Sequence, residues 1–400
     1  MSKVYLVAAK RTAIGSFGGT LAPVHPAEIG AAVIKDLLND TGVAPDSIDE
    51  VIVGNILSAG LGQGIARQVA IKAGLPVSVP AYALNMVCGS GMKALLSAFA
   101  NITVGLHHVV IAGGTENMSM APYILPNART GFRMGHVQAN DHMVFDALTD
   151  AFNNVHMGIT AENIAEKHGI SRLAQDEFAL NSQKKAVAAV DAGRFKDEIT
   201  PVEIKTRKET IIFAQDEYPN RSAALEKMAA LKPAFKKDGT VTAGNASGIN
   251  DGAAFCMLAS EAAVAKYNLI PMAEVIGIGQ GGVEPLFMGL GPVPAVAAAL
   301  KHAGLNLADI ELLELNEAFA AQSLGVVKEL ADAHHLTSEA IVEKCNVNGG
   351  AIALGHPVGS SGARIITTLV HEMKKQNLIY GLASLCIGGG MGTAIILKRD

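Results

Sequence analysis

The stretch Asn85-Met86-Val87-Cys88-Gly89-Ser90-Gly91-Met92-Lys93 sets a cysteine where an extended run gives way to a helix. The run Val79 to Val87 reads as strand or loop, and Met92 to Ala100, rich in Ala and Leu, reads as helix. Cys88 then stands near a helix N-terminus, where unpaired N–H groups and the positive dipole end favour a thiolate, which makes it a candidate nucleophile. Taken alone, such a cysteine is as often buried and inert. Three polar residues late in the chain add to it: Asn316 in Asn-Glu-Ala-Phe-Ala, His356 in Gly-His-Pro, and Cys386 ahead of three glycines. Singly, these could cap a helix, satisfy a turn and fill a core. Together with Cys88 they form a Cys-His-Asn set plus a second thiol, the parts that nucleophilic catalysis through a thiol requires.

These residues must be positioned by α/β layers. The chain has 400 residues, half of them apolar, enough for two or three domains with large cores. Its 42 glycines, few aromatics and lack of Trp suit tightly packed α/β layers better than an aromatic-cored β-sandwich. A net charge of −5 offers no basic field for nucleic acid. Cys88, Cys256, Cys345 and Cys386 form no C-x-x-C pair, so neither a disulfide framework nor a zinc site is expected; His107-His108 and His334-His335 are adjacent pairs that do not share a face. The start, Met1 to Val7, is strand-like without a charged leader, and no apolar run reaches spanning length, so a cytoplasmic protein with no membrane partner is expected.

The order of motifs repeats. Ile48 to Asn55 and Ile310 to Asn316 share an acidic start, a buried strand and a closing Asn. The first is followed by the Cys88 turn and its helix, the second by His356-Pro357-Val358-Gly359-Ser360-Ser361-Gly362 and an apolar helix to Met373. His108 to Gly114 is then echoed by Leu382 to Gly390. An ordered triplet at offsets of 261 to about 275 residues argues for duplication of one α/β unit. Residues 1–118 with about 243–270 form the first half and 271–400 the second. Between them, 119–242 is richer in charge and reads as an inserted subdomain, with a helix from Leu173 to Ala192. If a pseudo-twofold relates the halves, the Cys88 and His356 helices face each other at the join.

At these motifs the chain resembles the thiolase family and, within it, the biosynthetic acetyl-CoA acetyltransferases. Asn85 through Gly91, Asn316-Glu317-Ala318-Phe319, Asn348-Gly349-Gly350-Ala351 through Gly355-His356-Pro357, and Cys386-Ile387-Gly388-Gly389-Gly390 match in type, order and spacing. The resemblance implies a duplicated five-layer α-β-α-β-α fold with an inserted loop subdomain, and reversible condensation of two acetyl-CoA to acetoacetyl-CoA and CoA. Cys88 would carry the acetyl group, His356 would take its proton, and Cys386 would deprotonate the second acetyl-CoA. One oxyanion hole would use His356 and a water on Asn316, the other the N–H groups of Cys88 and Gly388. CoA is then a substrate, with no cofactor or metal. Leu148, His156, Phe235, Ala246, Ser247, Ala318 and Phe319 would line its track, with Met157 and Met288 shortening the acyl pocket. Arg221 and Lys227 stand in for phosphate contacts that many relatives place one position earlier and on a serine. The resemblance also implies a homotetramer joined through a loop of the insert, near Arg129 to His136 and Asp141-His142.

Three alternatives remain at this level: a degradative 3-ketoacyl-CoA thiolase with a longer pocket, a decarboxylating or glutamate-based condensing enzyme, and a non-catalytic acyl-CoA or lipid carrier. Cys386 speaks against the second, since those enzymes do not need this thiol. The intact set of Cys88, His356 and Cys386 speaks against the third. A papain-like protease is remote from this glycine-rich, duplicated pattern.

Overall fold

The computed structural model describes residues 3–400; Met1 and Ser2, part of the strand-like start, lie outside them. The first half runs β1 (Val4–Thr12), α1 (Pro26–Thr41), β2 (Glu50–Gly54), α2 (Ile65–Lys72), β3 (Ala81–Leu84), α3 (Ser90–Thr103) and β4 (Val109–Asn117). The insert supplies α4 (Met157–His168) and α5 (Arg172–Asp191) before β5 (Asn250–Ser260) returns to the first half. The second half holds β6 (Ala273–Gly282), α6 (Pro292–Ala303), β7 (Leu312–Leu315), α7 (Ala320–His334), α8 (Ser361–Gln376), β8 (Tyr380–Ile387) and β9 (Met391–Lys398).

The strands order as β3-β2-β4-β5-β1 in one half and β7-β8-β9-β6 in the other. The two sheets meet edge to edge at Tyr5–Glu274 and Leu6–Ala273, with Met272 N–H donating to the Leu6 carbonyl beside them. Their equivalence extends to irregularities. The first strand of each half carries a register shift, between Leu6 and Ala8 in β1 and between Val275 and Gly277 in β6. Asp49 accepts the backbone N–H groups of His108 and Val109, just as Glu311 accepts those of Ile379 and Tyr380. These twin clamps align His108 with Ile379, rather than with Leu382 as motif matching suggests, and Asp49 with Glu311. Gly54, not Asn55, is then the counterpart of Asn316.

Layering follows from which faces are apolar. Helices α1 and α2 cover the first sheet through Ile29, Val33, Ile34, Leu37 and Val69. Helices α6 and α7 cover the second through Val296, Leu300, Val326 and Leu330. Between the sheets lie α3 and α8, whose Met92, Leu95, Ile365, Leu369 and Val370 share one core with both sheets. This is the five-layer α-β-α-β-α arrangement. Helix α1 starts on a proline with the His25 side chain accepting from Ala27 N–H, and ends on left-handed Gly42, which relieves the unpaired groups at both ends.

Helix α8 departs from the expectation of an apolar helix. It is buried from Ser361 to Met373 on every face, yet carries Arg364, Thr367, Thr368, His371 and Glu372. Each polar group that far inside needs a partner. Thr368 donates to Glu198, His371 bonds the carbonyl of Ala9, and Arg364 lies 3.5 Å from Glu314. The insert is bound to the body in the same manner. Buried Arg11 donates to Glu198 at 2.6 Å and to both oxygens of Asp216, and Ile199–Thr200 pairs in parallel with Arg11 and Thr12. No helix among the described residues is long and apolar enough to cross a membrane.

The central helices meet at their N-termini through glycine. A Cβ on Gly91 would lie 2.9 Å from the carbonyl oxygen of Gly359 and 3.0 Å from the nitrogen of Ala363, while one on Gly362 would lie 2.4 Å from the nitrogen of Met92. Backbone cannot yield there as a side chain can. Gly362→Ala is therefore expected to destabilise the fold by about 1–3 kcal/mol, seen as a lower thermal unfolding midpoint.

Candidate active site

The turn before α3 stores strain. Val87 has φ 45°, a left-handed backbone that a β-branched residue seldom adopts. Asn85 Oδ1 accepts from Val87 N–H at 2.9 Å, Ser90 Oγ donates to the Val87 carbonyl at 2.7 Å, and Met86 N–H donates to Ser90 Oγ. Asn85 and Ser90 thus grip the turn from both sides and project Cys88. A Cβ on Gly89 would stand 2.3 Å from Ile387 Cδ1, so glycine is what lets the turn rest against the end of β8.

At that end the second half supplies its part. The backbone amides of Gly388 and of Cys88 itself favour the charged form of the Cys88 sulfur. Burial nonetheless dominates: it pushes the Cys88 thiol up to about 11, with the charge of Glu116 adding to the rise. The helix-terminus argument for a resting thiolate is therefore outweighed, because the partly buried sulfur sits among apolar neighbours. Cys386 is buried, and burial followed by the neighbourhood of Cys88 raises its thiol far above the ordinary range. The two sulfurs feel each other, so each half's cysteine belongs to one centre.

His356 is buried, and burial, then the charge of Arg364, lowers it to about 3. It is a neutral imidazole at pH 7. Its N–H on the backbone donates to Asn250 Oδ1 at 2.9 Å, and Nδ1 lies 2.7 Å from Ser361 Oγ. Ser361 Oγ also lies 3.0 Å from the Pro357 carbonyl, so its one hydroxyl proton can serve either that carbonyl or Nδ1. Asn316 Nδ2 approaches Nδ1 at 3.5 Å, and its buried Oδ1 has no partner among the described residues.

The residues expected along a CoA track fall into two groups around the thiols. Met157, Ala246, Met288, Ala318 and Phe319 pack in one cluster with Cys386, and Phe235 lies against it. Leu148 packs with Cys88 in a second cluster that includes Met143 and Val358. His156 stacks on Phe235 with ring centroids 4.6 Å apart, and Phe235 meets Phe319 edge-on. A Cβ on Gly158 would overlap the Phe235 ring, so the glycine admits that stack. Ser247 N–H donates to the Ala318 carbonyl, and Ala246 bridges Phe319, which ties the return loop to the start of α7. The basic pair divides. Arg221 is exposed and bound by both oxygens of Asp191, at 2.6 and 3.0 Å. Lys227 instead lines a cavity of about 530 Å³ with Tyr218, Asn220 and Gly244. Of the two, only Lys227 faces an open site, because Arg221 already has its carboxylate.

Glu116, Asn250 and Ser361 were not singled out from the sequence, although they hold the turns. Glu116 could have been noticed as a carboxylate ending an otherwise apolar strand. Asn250 carried no such signal, since its partner is a backbone N–H 106 residues away.

A doubled α/β body with two thiols, a neutral histidine and an apolar track at its join defines an acyltransferase class of site. The family models match in the same two parts: thiolase N-terminal domain over residues 4–262 and thiolase C-terminal domain over 269–399. The acetyl-CoA acetyltransferase of Pseudomonas aeruginosa is 54% identical over 402 residues, covering all of both chains, and that of Cupriavidus necator is 52% identical over 400 residues, again covering all of both. Among solved structures, the acetyl-CoA acetyltransferase of Syntrophomonas wolfei superposes with a TM-score of 0.97 at 43% identity, with full coverage of both chains. Human mitochondrial 3-ketoacyl-CoA thiolase gives 0.94 at 44%, covering 100% of this chain and 99% of its own. The chain belongs to the thiolase family and is an acyltransferase.

Because the Cys88 thiol titrates near 11, alkylation of Cys88 by iodoacetamide should accelerate about tenfold per pH unit from pH 7 toward that value. Mass spectrometry of the Cys88 peptide reads it, and a rate already level at pH 7 would contradict the burial argument.

Proposed function

We propose that the protein is an acetyl-CoA C-acetyltransferase working by a two-step exchange through acetyl-Cys88. In the first step His356 takes the Cys88 proton, the sulfur attacks the acetyl-CoA carbonyl, and the CoA thiolate leaves, taking that proton. In the second, His356 takes the proton of the Cys386 thiol and the resulting thiolate removes a proton from the α-carbon of another acetyl-CoA. The carbanion attacks the acetyl-Cys88 carbonyl, and Cys88 leaves as a thiolate that takes the proton back from His356, giving acetoacetyl-CoA. Every step is reversible. The observation that carries the reading is the second thiol, enclosed with Met157, Met288 and Phe319 and electrostatically coupled to Cys88. Burial that raises a thiol makes its thiolate a stronger base, which is what proton removal from carbon needs. The N–H groups of Gly388 and Cys88 would receive the negative charge on the acyl oxygen, and Asn316, whose buried Oδ1 has no partner among the described residues, would hold a water for the other oxyanion. CoA enters as substrate and leaves as product, with no cofactor. Its pantetheine arm would pass His156, Phe235 and Ser247 toward Lys227.

The relatives' names favour the acetyl substrate, and two methionines, Met157 and Met288, buried beside Cys386, favour a short pocket. The similarity to a 3-ketoacyl-CoA thiolase supports a second, longer-chain reading. Cleavage assays separate them. With CoA present, acetoacetyl-CoA should be cleaved rapidly and 3-ketohexanoyl-CoA slowly, and Cys88→Ser and Cys386→Ser should each abolish turnover. Met288→Ala should raise kcat/KM on 3-ketohexanoyl-CoA by roughly tenfold. Equal wild-type rates on both substrates would overturn the acetyl assignment.

The same reading includes a cytoplasmic homotetramer. Tyr123, Leu125, Phe132 and Met134 expose apolar surface on one segment of the insert, and strand β3 is an edge whose Tyr82 is 39% exposed. Light scattering is expected to give the mass of four chains, and Phe132→Asp with Met134→Asp to reduce it to two; an unchanged mass would reject that surface.

A further inference from the structure

Strand β4 is buried along its whole length and ends its apolar run with a carboxylate, Glu116. The amide clamps that equate His108 with Ile379 place Glu116 at the position of Ile387. Each of these side chains leans on the other half's turn. Ile387 meets Gly89 beside Cys88, and Glu116 meets Gly359, three residues after His356, where a Cβ would lie 2.4 Å from Oε2. One half thus uses hydrocarbon where its twin uses a buried charge, which is costly to desolvate.

The partners of Glu116 account for that cost. Oε1 accepts from Asn55 Nδ2 at 2.9 Å and Leu57 N–H at 3.1 Å, Oε2 accepts from Ile56 N–H at 3.0 Å, and the amide of Gly359, against which Oε2 rests, also favours the charged carboxylate. All four favour an acceptor. A glutamine would turn its own N–H groups against one side of this set, and an aspartate would fall a methylene short of spanning it. Three donors belong to the first half's strand ends and the fourth to the histidine's turn.

Accepting the two-thiol reading above, we infer that Glu116 is a positioning residue for acyl transfer: its carboxylate fastens the His356 turn to the first half and so sets the distance between His356 and Cys88. Burial pushes the Glu116 carboxyl up to about 7, against the pull of the Ile56, Leu57 and Gly359 amides, with Asp251 the other carboxylate acting on it. Its charge also bears on the Cys88 thiol. Span and charge are therefore separable contributions.

The test compares Glu116→Gln, which loses the charge, with Glu116→Asp, which keeps charge and loses span. Both variants are expected to lose on the order of 10²-fold in kcat for acetoacetyl-CoA cleavage, with the KM values for acetoacetyl-CoA and CoA little changed. Only Glu116→Gln should move the iodoacetamide profile of Cys88 to lower pH, so that the thiol becomes easier to alkylate while the enzyme becomes slower. A residue that merely held the fold together would not split the two readouts in opposite directions. A kcat within about twofold of wild type in folded Glu116→Asp, or an unmoved profile in folded Glu116→Gln, would overturn the inference. Should Glu116→Gln not fold, the kcat-against-KM split in Glu116→Asp decides alone. A wild-type protein that failed to cleave acetoacetyl-CoA would instead sink the functional reading; failure of the inference shows as variants that match a competent wild type.

Discussion

The structure depends on two helix N-termini being pressed together at a distance that only glycine permits. Gly91 and Gly362 each bring backbone against backbone of the opposite helix, and the contact is reciprocal, as a pseudo-twofold requires. Other close approaches follow from it. The turns that precede these helices are driven onto the strand ends, so a Cβ on Gly54 would fall 2.5 Å from the Ser90 carbonyl carbon and one on Gly114 2.1 Å from the Gly359 oxygen. A side chain at Gly91, Gly362 or Gly114 would part the halves, and one at Gly54 would push α3 off its own sheet. Cys88 and His356 sit on those same turns, so the packing contact and the meeting of Cys88 with the second half are one constraint.

Enclosure at the join then dictates the ionisation states. Apolar clusters surround Cys88, which is partly buried, and Cys386, which is fully so, and in that setting uncharged forms win: two thiols and a neutral imidazole. A site of this kind stores no thiolate. On the proposed reading it must generate one when substrate brings an acyl carbonyl. Keeping the sulfurs protonated at rest also fits a centre with two of them, since two adjacent thiolates would repel. The polar residues of α8 serve the same interior, for Arg364 is one cause of His356 staying neutral.

Much of this was legible in the sequence because it depends on local chemistry or on repetition. The strand-to-helix change around Cys88, the Asn-Glu-Ala-Phe and Gly-His-Pro motifs and the doubled order of strands are visible without coordinates. The repeat register was misread by a few residues at the last strand, because Gly-rich ends look alike while the real markers, Asp49 and Glu311 clamping pairs of amides, are single acidic residues in unrelated contexts. Burial was the other blind spot. Nothing in the composition of α8 says that Arg364 and Glu372 lie inside, and nothing around Cys88 says that desolvation outweighs a helix dipole. Long-range partners such as Asn250 for His356, or Asp191 for Arg221, belong to the tertiary fold alone.

Similarity of fold cannot choose the acyl chain, and the reason is physical. A TM-score of 0.97 to an acetyl-CoA acetyltransferase and 0.94 to a 3-ketoacyl-CoA thiolase, at 43% and 44% identity, show that both activities rest on one arrangement of sheets and helices. What differs must be side chains that fill or vacate a volume beside Cys386. Met157 and Met288 are buried there, each unbranched and able to change rotamer without moving backbone. Such a boundary is softer than one made by a β-branched or aromatic residue, so length discrimination here should be a matter of degree, set by the cost of displacing two thioethers. On the proposed reading the chemistry at Cys88 and His356 needs no such adjustment, because the reacting thioester carbonyl is the same whatever chain follows it.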